Sequence, residues 1–155
     1  LPNRHYFYEE IINIFKNKQY RHNSALIFID NNKFKIINDQ YGHLAGDAVL
    51  REMASRLMLS VRQEDFIARL GGDEFAIILH TIHHADHLQA IAESLLASCK
   101  EPLDFNGQLI HFSFSLGIAF SQFADNPDDL VMQADQAMYK AKNLNPHWFL
   151  YKPEI

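Results

Sequence analysis

Hydrophobic residues recur along this chain with two different periods, and each period predicts one kind of element. Asn3 is a residue type that caps helices, and the apolar positions after it are spaced by three and four, as on one helix face. Those positions are Phe7, Ile11, Ile12 and Phe15. Similar spacing predicts helices over 46–61, 85–99 and 128–142. In the first of these, the residues expected to face inward are Val49, Leu50, Met53, Leu57 and Val61.

Short apolar runs bounded by polar residues predict the strands. They cover 24–29, 66–70, 75–79, 103–105, 109–120 and 148–151. Gly71 and Gly72 permit the positive φ of a tight hairpin between the second and third runs, and Asn106-Gly107 is a second turn pair. The order helix, strand, helix, hairpin, helix, hairpin, helix, strand predicts an α+β fold, with helices packed on one sheet.

Composition and charge indicate an ordinary globular domain and argue against a nucleic-acid-binding protein. The chain has 155 residues, of which 48% are hydrophobic, enough for one domain with its own core. A net charge of −5 and a pI of about 6.0 argue against a basic surface for nucleic acid. A bound metal could still attract a polyphosphate to such a protein.

The sequence also leads us to expect a particular cellular compartment and to expect that this chain is part of a longer protein. Its one cysteine, Cys99, lies in an apolar helical pattern, where a buried small hydrophobe in a reducing cytoplasm is expected. No apolar run approaches the roughly 20 residues of a membrane span. The chain begins at Leu1 without a methionine, so we expect residues 1–155 to be a single domain from a longer protein, truncated at its N-terminus. Membrane attachment of that parent protein stays open.

Three carboxylates lie at the ends of predicted strands. Asp30 follows a buried run, where its side chain either caps the next segment or faces a cation. Asp73 and Glu74 lie at the hairpin tip, where an acidic turn is commonly structural. If the hairpin strands flank the Asp30 strand, Asp30 and Asp73 converge at one sheet edge. Such a pair suits Mg²⁺, which needs few protein ligands, and a two-metal mechanism of nucleotidyl transfer.

Other polar residues have a structural and a functional interpretation. Lys35 and Lys142 are either solvated surface charges or phosphate partners, and Lys35 could neutralise charge on a transferred phosphorus. Asn38 and Asp47 could bind a purine edge, although turn and cap chemistry is the favoured explanation from the local sequence alone. The histidines at 83, 84 and 87 are expected to be surface residues rather than zinc ligands.

Six ordered segments together resemble the GGDEF domain family. The central one is Arg69-Leu70-Gly71-Gly72-Asp73-Glu74-Phe75, which resembles the signature that names the family. The others lie on both sides of it: Leu1-Pro2-Asn3-Arg4, Phe34-Lys35 with Asn38-Asp39, Tyr41-Gly42-His43 with Gly46-Asp47, Ser115 to Ala119, and Ala134 to Lys142. The resemblance covers essentially the whole chain.

The resemblance implies a fold and an activity. The fold would be a central, mainly antiparallel sheet flanked by helices, like nucleotidyl cyclases and polymerase palms. The activity would be that of a diguanylate cyclase, which joins two GTP molecules into cyclic di-GMP and two pyrophosphates as a homodimer. Cofactors would be two Mg²⁺ ions, or Mn²⁺ in their place.

Residue roles are implied in the same way. Asp30, Asp73 and the backbone carbonyl of Asn31 would hold the metals, with Glu74 assisting at the metal edge. Asn38 and Asp47 would bind guanine. Phe34, Lys35 and Lys142 would hold phosphates. Arg62-Gln63-Glu64-Asp65 matches the family's inhibitory RxxD motif, and the separation of three predicts that the Arg62 and Asp65 side chains lie together. They are expected to be the site of feedback inhibition by cyclic di-GMP, and a surface salt bridge is the alternative.

Two positions depart from the family pattern. Asn32 stands where the family usually has a second Asp, and Pro146 stands where it has a phosphate-binding Arg. These departures motivate an alternative, a weak or inactive domain that binds GTP or cyclic di-GMP and regulates an attached domain. The tail Trp148 to Ile155 resembles the junction to an EAL phosphodiesterase domain, so attached sensor and EAL domains are expected.

Overall fold

The computed structural model describes residues 1–82 and 84–153, in which helices and strands alternate irregularly. The helices are α1 (Arg4–Lys16), α2 (Phe34–Tyr41), α3 (His43–Ser60), α4 (Ala85–Ala97) and α5 (Pro127–Ala141). The strands are β1 (Ala25–Asn31), β2 (Phe66–Gly71), β3 (Glu74–Leu79), β4 (Leu103–Phe105), β5 (Gln108–Ile110), β6 (Phe114–Phe120) and β7 (Trp148–Leu150). A single 3₁₀ turn (Ser121–Phe123) follows β6.

Five strands form the central sheet, in the order β2-β3-β1-β6-β7. All its pairs are antiparallel except β6 with β7. The predicted α+β fold, a mainly antiparallel sheet flanked by helices, is therefore confirmed. β4 and β5 form a separate two-stranded hairpin.

The apolar run of β1 is buried on both faces, because helices cover both sides of the sheet. Ile27 and Ile29 belong to a core shared with α3 and α4, whereas Leu26 and Phe28 belong to a core shared with α1 and α5. Successive strand residues point to opposite faces, so a central strand must be apolar at nearly every position. The polar residue that ends this run, Asp30, is thereby placed at the edge of both cores.

Several predicted boundaries are wrong. α2 is absent from the predicted elements, because it has only eight residues and the residue before it, Lys33, makes no capping hydrogen bond. α3 begins at His43 rather than 46 and ends before Val61. The predicted strand over 109–120 is two strands in different sheets, separated by residues 111–113. In α1 the inward residues are Phe7, Ile11 and Ile14, while the predicted Ile12 is 42% exposed.

Other expectations stand or lie outside the described residues. Cys99 is buried and unpaired, as predicted, and burial raises the pKa of its thiol to about 11. His84 and His87 are exposed, and His83 lies outside the described residues, as do residues 154 and 155 of the tail. Among the helices of the described ranges, none combines the length and apolarity that crossing a membrane requires.

Candidate active site at the end of the central strand

Two carboxylates meet where β1 ends. β1 pairs with β3 so that Asp30 lies opposite Glu74, and the turn before β3 carries Asp73. Gly71 and Gly72 of that turn have φ values of 147° and 50°, in the region that favours glycine. The Asp73 carboxyl lies beside that of Asp30, within hydrogen-bonding reach when a proton is present. The two hairpin strands do not flank β1: β3 pairs with β1, and β2 lies at the edge of the sheet. The pairing of β3 alone brings Asp73 to Asp30.

The environment of this pair favours the protonated form of the Asp73 carboxyl. Burial raises the pKa of Asp73 to about 6, helped by a hydrogen bond with Asp30 and by repulsion from its charge. Lys142 opposes this shift. Its Nζ donates to Asp30 Oδ2 at 2.5 Å, across 112 positions of sequence. The structure thus brings Asp30, Asp73 and Lys142 together.

The donor set fits a divalent cation. Asp30 is 17% exposed at its side chain, and its Oδ1 is buried without a hydrogen-bond partner among the described residues. An unpaired buried carboxylate oxygen is costly, and a cation between two carboxylates would satisfy it. No group of three or more His, Cys, Asp or Glu side chains in the described ranges could hold a metal. Two carboxylates still suit Mg²⁺, which keeps several waters.

The side chains of two further predicted participants, Glu74 and Asn31, have other contacts. Glu74 is 56% exposed at its side chain, with Oε2 at 4.0 Å from an Arg4 nitrogen. The side chain of Asn31 is buried, and its Nδ2 donates to Met53 Sδ at 3.1 Å. The amide nitrogen of Asn31 is therefore engaged in the core, its Oδ1 is buried without a partner in the described ranges, and its backbone carbonyl stays the predicted metal ligand.

The predicted purine-binding residues meet at the α2–α3 junction. The Asn38 side chain packs against Gly46, in the space that a Cβ at Gly46 would occupy. Asp47, the next residue, is exposed and lines a cavity of about 380 Å³. The cavity's other lining residues are Leu1, Leu50, Arg51, Ala54, Arg69 and Phe75. An acceptor at the rim of a partly apolar cavity suits a planar base.

A second cavity, of about 270 Å³, lies across the sheet on the side of α1 and α5. Asp30 and Glu74 line it together with Arg4 and Asp135. Burial raises the pKa of Asp135, and the charge of Arg4 opposes that shift. Arg4 therefore lies among three carboxylates beside the candidate site.

The structure also shows the surroundings of one more predicted phosphate partner, Lys35, and of the two positions that depart from the family pattern. Lys35 is exposed at the start of α2 and makes no hydrogen bond or ion pair within 1–82 and 84–153. Asn32 donates to Ser113 Oγ at 2.9 Å and accepts from Ser115 Oγ at 2.5 Å, so both ends of its amide are engaged. Pro146 is exposed in the loop between α5 and β7.

Arg62 and Asp65 form a compact ion pair away from this site. The Arg62 side chain donates to both Asp65 oxygens, at 3.2 and 3.1 Å, and to the carbonyl of His80 at 2.9 Å. Asp65 is only 1% exposed at its side chain, whereas Arg62 is 48% exposed. The hydrogen bond to Asp65 raises the pKa of Arg62. Their predicted proximity is thus present, in the form of an internal salt bridge.

Sequence reasoning missed two arginines near the site. Arg4 faces Glu74, and Arg69 donates through Nε and NH2 to the Gly72 carbonyl at 3.1 and 2.8 Å. Arg69 is three residues before Gly72 across a tight turn, a spacing that could have suggested this bond. Nothing in the sequence indicates the contact of Arg4, because it depends on how α1 packs.

Comparison with known proteins agrees with this geometry. The family described as "Diguanylate cyclase, GGDEF domain" matches residues 1–146. The diguanylate cyclase TpbB of Pseudomonas aeruginosa is 39% identical over 145 residues, which are 92% of this chain and 33% of TpbB. The chain therefore spans about a third of that relative.

Two solved structures extend the comparison. The crystal structure of the GGDEF domain of TpbB superimposes with a TM-score of 0.90 at 36% identity, covering 99% of this chain and 98% of that one. The coiled coil and GGDEF domain of DgcB from Caulobacter crescentus, in complex with cyclic di-GMP, gives a TM-score of 0.82 at 26% identity, covering 92% and 76%. On the match over residues 1–146, this chain belongs to the GGDEF domain family of diguanylate cyclases.

Proposed function

We propose that this domain condenses two GTP molecules into cyclic di-GMP and two pyrophosphates, with Mg²⁺, or Mn²⁺ in its place, held by Asp30 and Asp73. The observation that carries the proposal is the meeting of these two carboxylates beside Lys142, with one buried oxygen left unpaired. In a protein of net charge −5, bound cations would make this acidic strand end attractive to a triphosphate.

In the proposed reaction, the 3′-hydroxyl of each GTP attacks the α-phosphorus of the other. A new O3′–P bond forms, the bond from that phosphorus to the β-phosphate bridging oxygen breaks, and pyrophosphate leaves. Bound Mg²⁺ would stabilise the developing charge and favour loss of the hydroxyl proton. Asn38 and Asp47 hold guanine, Phe34, Lys35 and Lys142 hold phosphates, and Glu74 assists at the metal edge. Because each domain holds one GTP, two domains must face each other.

The direct test is product formation from GTP. The purified domain, with GTP and Mg²⁺, should yield cyclic di-GMP and two equivalents of pyrophosphate, separated by chromatography. Asp73→Asn should abolish the yield, because it removes one of two carboxylates that hold the metal. Asp128→Asn is a matched control, since Asp128 is exposed at the start of α5. Product from Asp73→Asn at the wild-type rate would refute the site.

A second function is supported by the two departures from the family pattern. Asn32 is tied to Ser113 and Ser115, and Pro146 cannot make the charge-assisted bonds of an arginine. A domain weakened in this way would bind GTP or cyclic di-GMP and regulate attached sensor or EAL domains. Pro146→Arg separates the two functions. A large gain in turnover indicates a weakened cyclase, whereas unchanged turnover favours the regulator.

We also propose feedback inhibition at Arg62 and Asp65. The cyclic di-GMP complex of the DgcB fragment supports recognition of this dinucleotide within the family. Arg binds phosphate or guanine bidentately, and Asp accepts from guanine N–H groups. Arg62→Ala should lose cyclic di-GMP binding in calorimetry while GTP binding persists. Equal cyclic di-GMP affinity in both proteins would rule this site out.

A further inference from the structure

His80 is a buried polar residue outside the candidate active site. It follows the end of β3, and its ring is 9% exposed. Nε2 lies 3.0 Å from Glu10 Oε1 of α1, and Nδ1 is buried without a partner in the described part of the chain. The ring of Tyr20 packs on it at 4.4 Å between centroids. The single hydrogen bond of this imidazole therefore joins the end of β3 to α1.

The backbone carbonyl of the same residue binds Arg62 of the proposed inhibitory site. The His80 carbonyl accepts from Arg62 NH2, while the same guanidinium covers Asp65. Asp65 is 1% exposed at its side chain, and the backbone N–H of Arg62 also donates to its Oδ2 at 2.9 Å, so a ligand that uses this carboxylate competes with bonds from Arg62. Each bond that Arg62 makes within the chain thus competes with the ligand.

The backbone conformation next to His80 does not by itself fix the position of the His80 carbonyl. Thr81 has φ 63°, a left-handed conformation that is unfavourable for a β-branched residue. Such a conformation persists only where neighbouring contacts impose it. Here Ile82 N donates to the Asn23 carbonyl at 2.5 Å on one side, and Glu10 fixes the His80 ring on the other. Loss of the Glu10 contact should therefore let the His80 carbonyl move.

α1 contacts both candidate sites. At its first residue, Arg4 faces Glu74 at the start of β3, and six residues later Glu10 binds His80 just beyond the end of β3. The helix and the strand are thus linked at both ends. Of these two contacts, only the one at Glu10 touches the residue whose carbonyl binds Arg62.

We propose that Glu10 and His80 are positioning residues that connect α1 to the Arg62–Asp65 site and hold that site closed. The inference rests on the proposed feedback function and adds its structural route. Weakening the link favours the open site, so product binds more tightly. Binding of product in turn releases His80 and loosens the hold on α1.

The test compares two neighbouring glutamates of α1. Glu10→Ala removes the partner of His80, whereas Glu9→Ala removes an exposed ion pair with His5, 3.1 Å away, and is the matched control. Calorimetry should show about fivefold tighter cyclic di-GMP binding for Glu10→Ala, as expected when the released His80 carbonyl gives up its hydrogen bond from Arg62, worth about 1 kcal/mol. GTP affinity should be unchanged in both variants. Glu10→Gln keeps an acceptor for His80 and should restore wild-type affinity.

A ligand-free measurement separates this inference from the feedback proposal. By NMR, exchange of the Arg62 Nε proton with water should be several-fold faster in Glu10→Ala than in wild type or Glu9→Ala. Unchanged exchange overturns the inference, as does an equal change in Glu9→Ala or a parallel change in GTP affinity. If the wild-type protein binds no cyclic di-GMP but Arg62 exchange is still faster in Glu10→Ala, the feedback proposal is refuted. The link between Glu10 and His80 is then still supported.

Discussion

At the scale of single residues, the candidate site combines groups that are unfavourable together without a ligand. The carboxyls of Asp30 and Asp73 meet at a partly buried strand end, and Lys142 compensates only one of them by a direct bond. Proteins retain such like-charge pairs mainly where a cation or a proton is used. The raised pKa of Asp73 is the residue-level consequence and leads to a measurable pH dependence.

A carboxyl that holds its proton more tightly when folded stabilises the protein at low pH. The pKa of Asp73 rises from 3.8 to about 6 on folding, so this contribution is complete below about pH 4 and is lost as pH rises through 6. In metal-free buffer, Asp73→Asn should therefore melt close to wild type at pH 4 and above it at pH 7. Thermal unfolding across this range measures the difference.

Magnesium supplies the control for that measurement. At pH 7 it should raise the melting temperature of wild type, because it binds the folded state, and leave Asp73→Asn unchanged. Asp128→Asn should follow wild type throughout. A melting difference between wild type and Asp73→Asn that stays constant from pH 4 to 7 would contradict the coupling of Asp73 to Asp30.

At the scale of elements, the sequence predicted strands better than short helices. The central strands are long apolar runs, whose burial on both faces leaves little choice of structure. α2 was not predicted although Phe34, Ile37 and Tyr41 have helical spacing, because the helix is only eight residues long and no capping residue marks its start. The bond between Lys142 and Asp30 joins residues 112 positions apart and depends on how α5 packs on β6, which local patterns do not encode.

Substitutions at two glycines test how closely neighbouring helices and strands must pack. Gly46→Ala in α3 should leave stability nearly unchanged: the helix gains up to ~1 kcal/mol, and the atom displaced is the flexible end of Asn38. GTP affinity should fall, because Asn38 is moved from its place beside Asp47. Chemical denaturation and calorimetry measure the two effects separately.

Gly117→Ala in β6 is the contrasting substitution. A Cβ there would meet backbone atoms of Ala134 and Met138 in α5, which cannot turn aside as a side chain can. The change should destabilise the domain by about 1–3 kcal/mol, the usual range for overpacking. Comparable stability of both alanine variants would show that α5 has room to shift.

At the scale of the whole molecule, one cavity lies on each side of the central sheet near the candidate site. A cavity with Asp47 lies on the α3 side, a cavity with Arg4 and Asp135 lies on the α1 and α5 side, and Phe75 lines both. Asp30 and Asp73 stand at the strand end between them. One domain therefore offers one such carboxylate pair, whereas the proposed product contains two nucleotides.

The proposed reaction therefore requires two domains, and its rate should reveal this. While monomers dominate, the initial rate of cyclic di-GMP formation should rise with about the second power of protein concentration, because the reactive species is a dimer. Fusion to a parallel dimeric coiled coil should reduce the dependence to the first power by raising the effective concentration. Asp73→Asn in the same fusion controls for background product. A first-power dependence for the unfused domain, with product formed, would show that a single domain completes the reaction and would overturn the face-to-face arrangement.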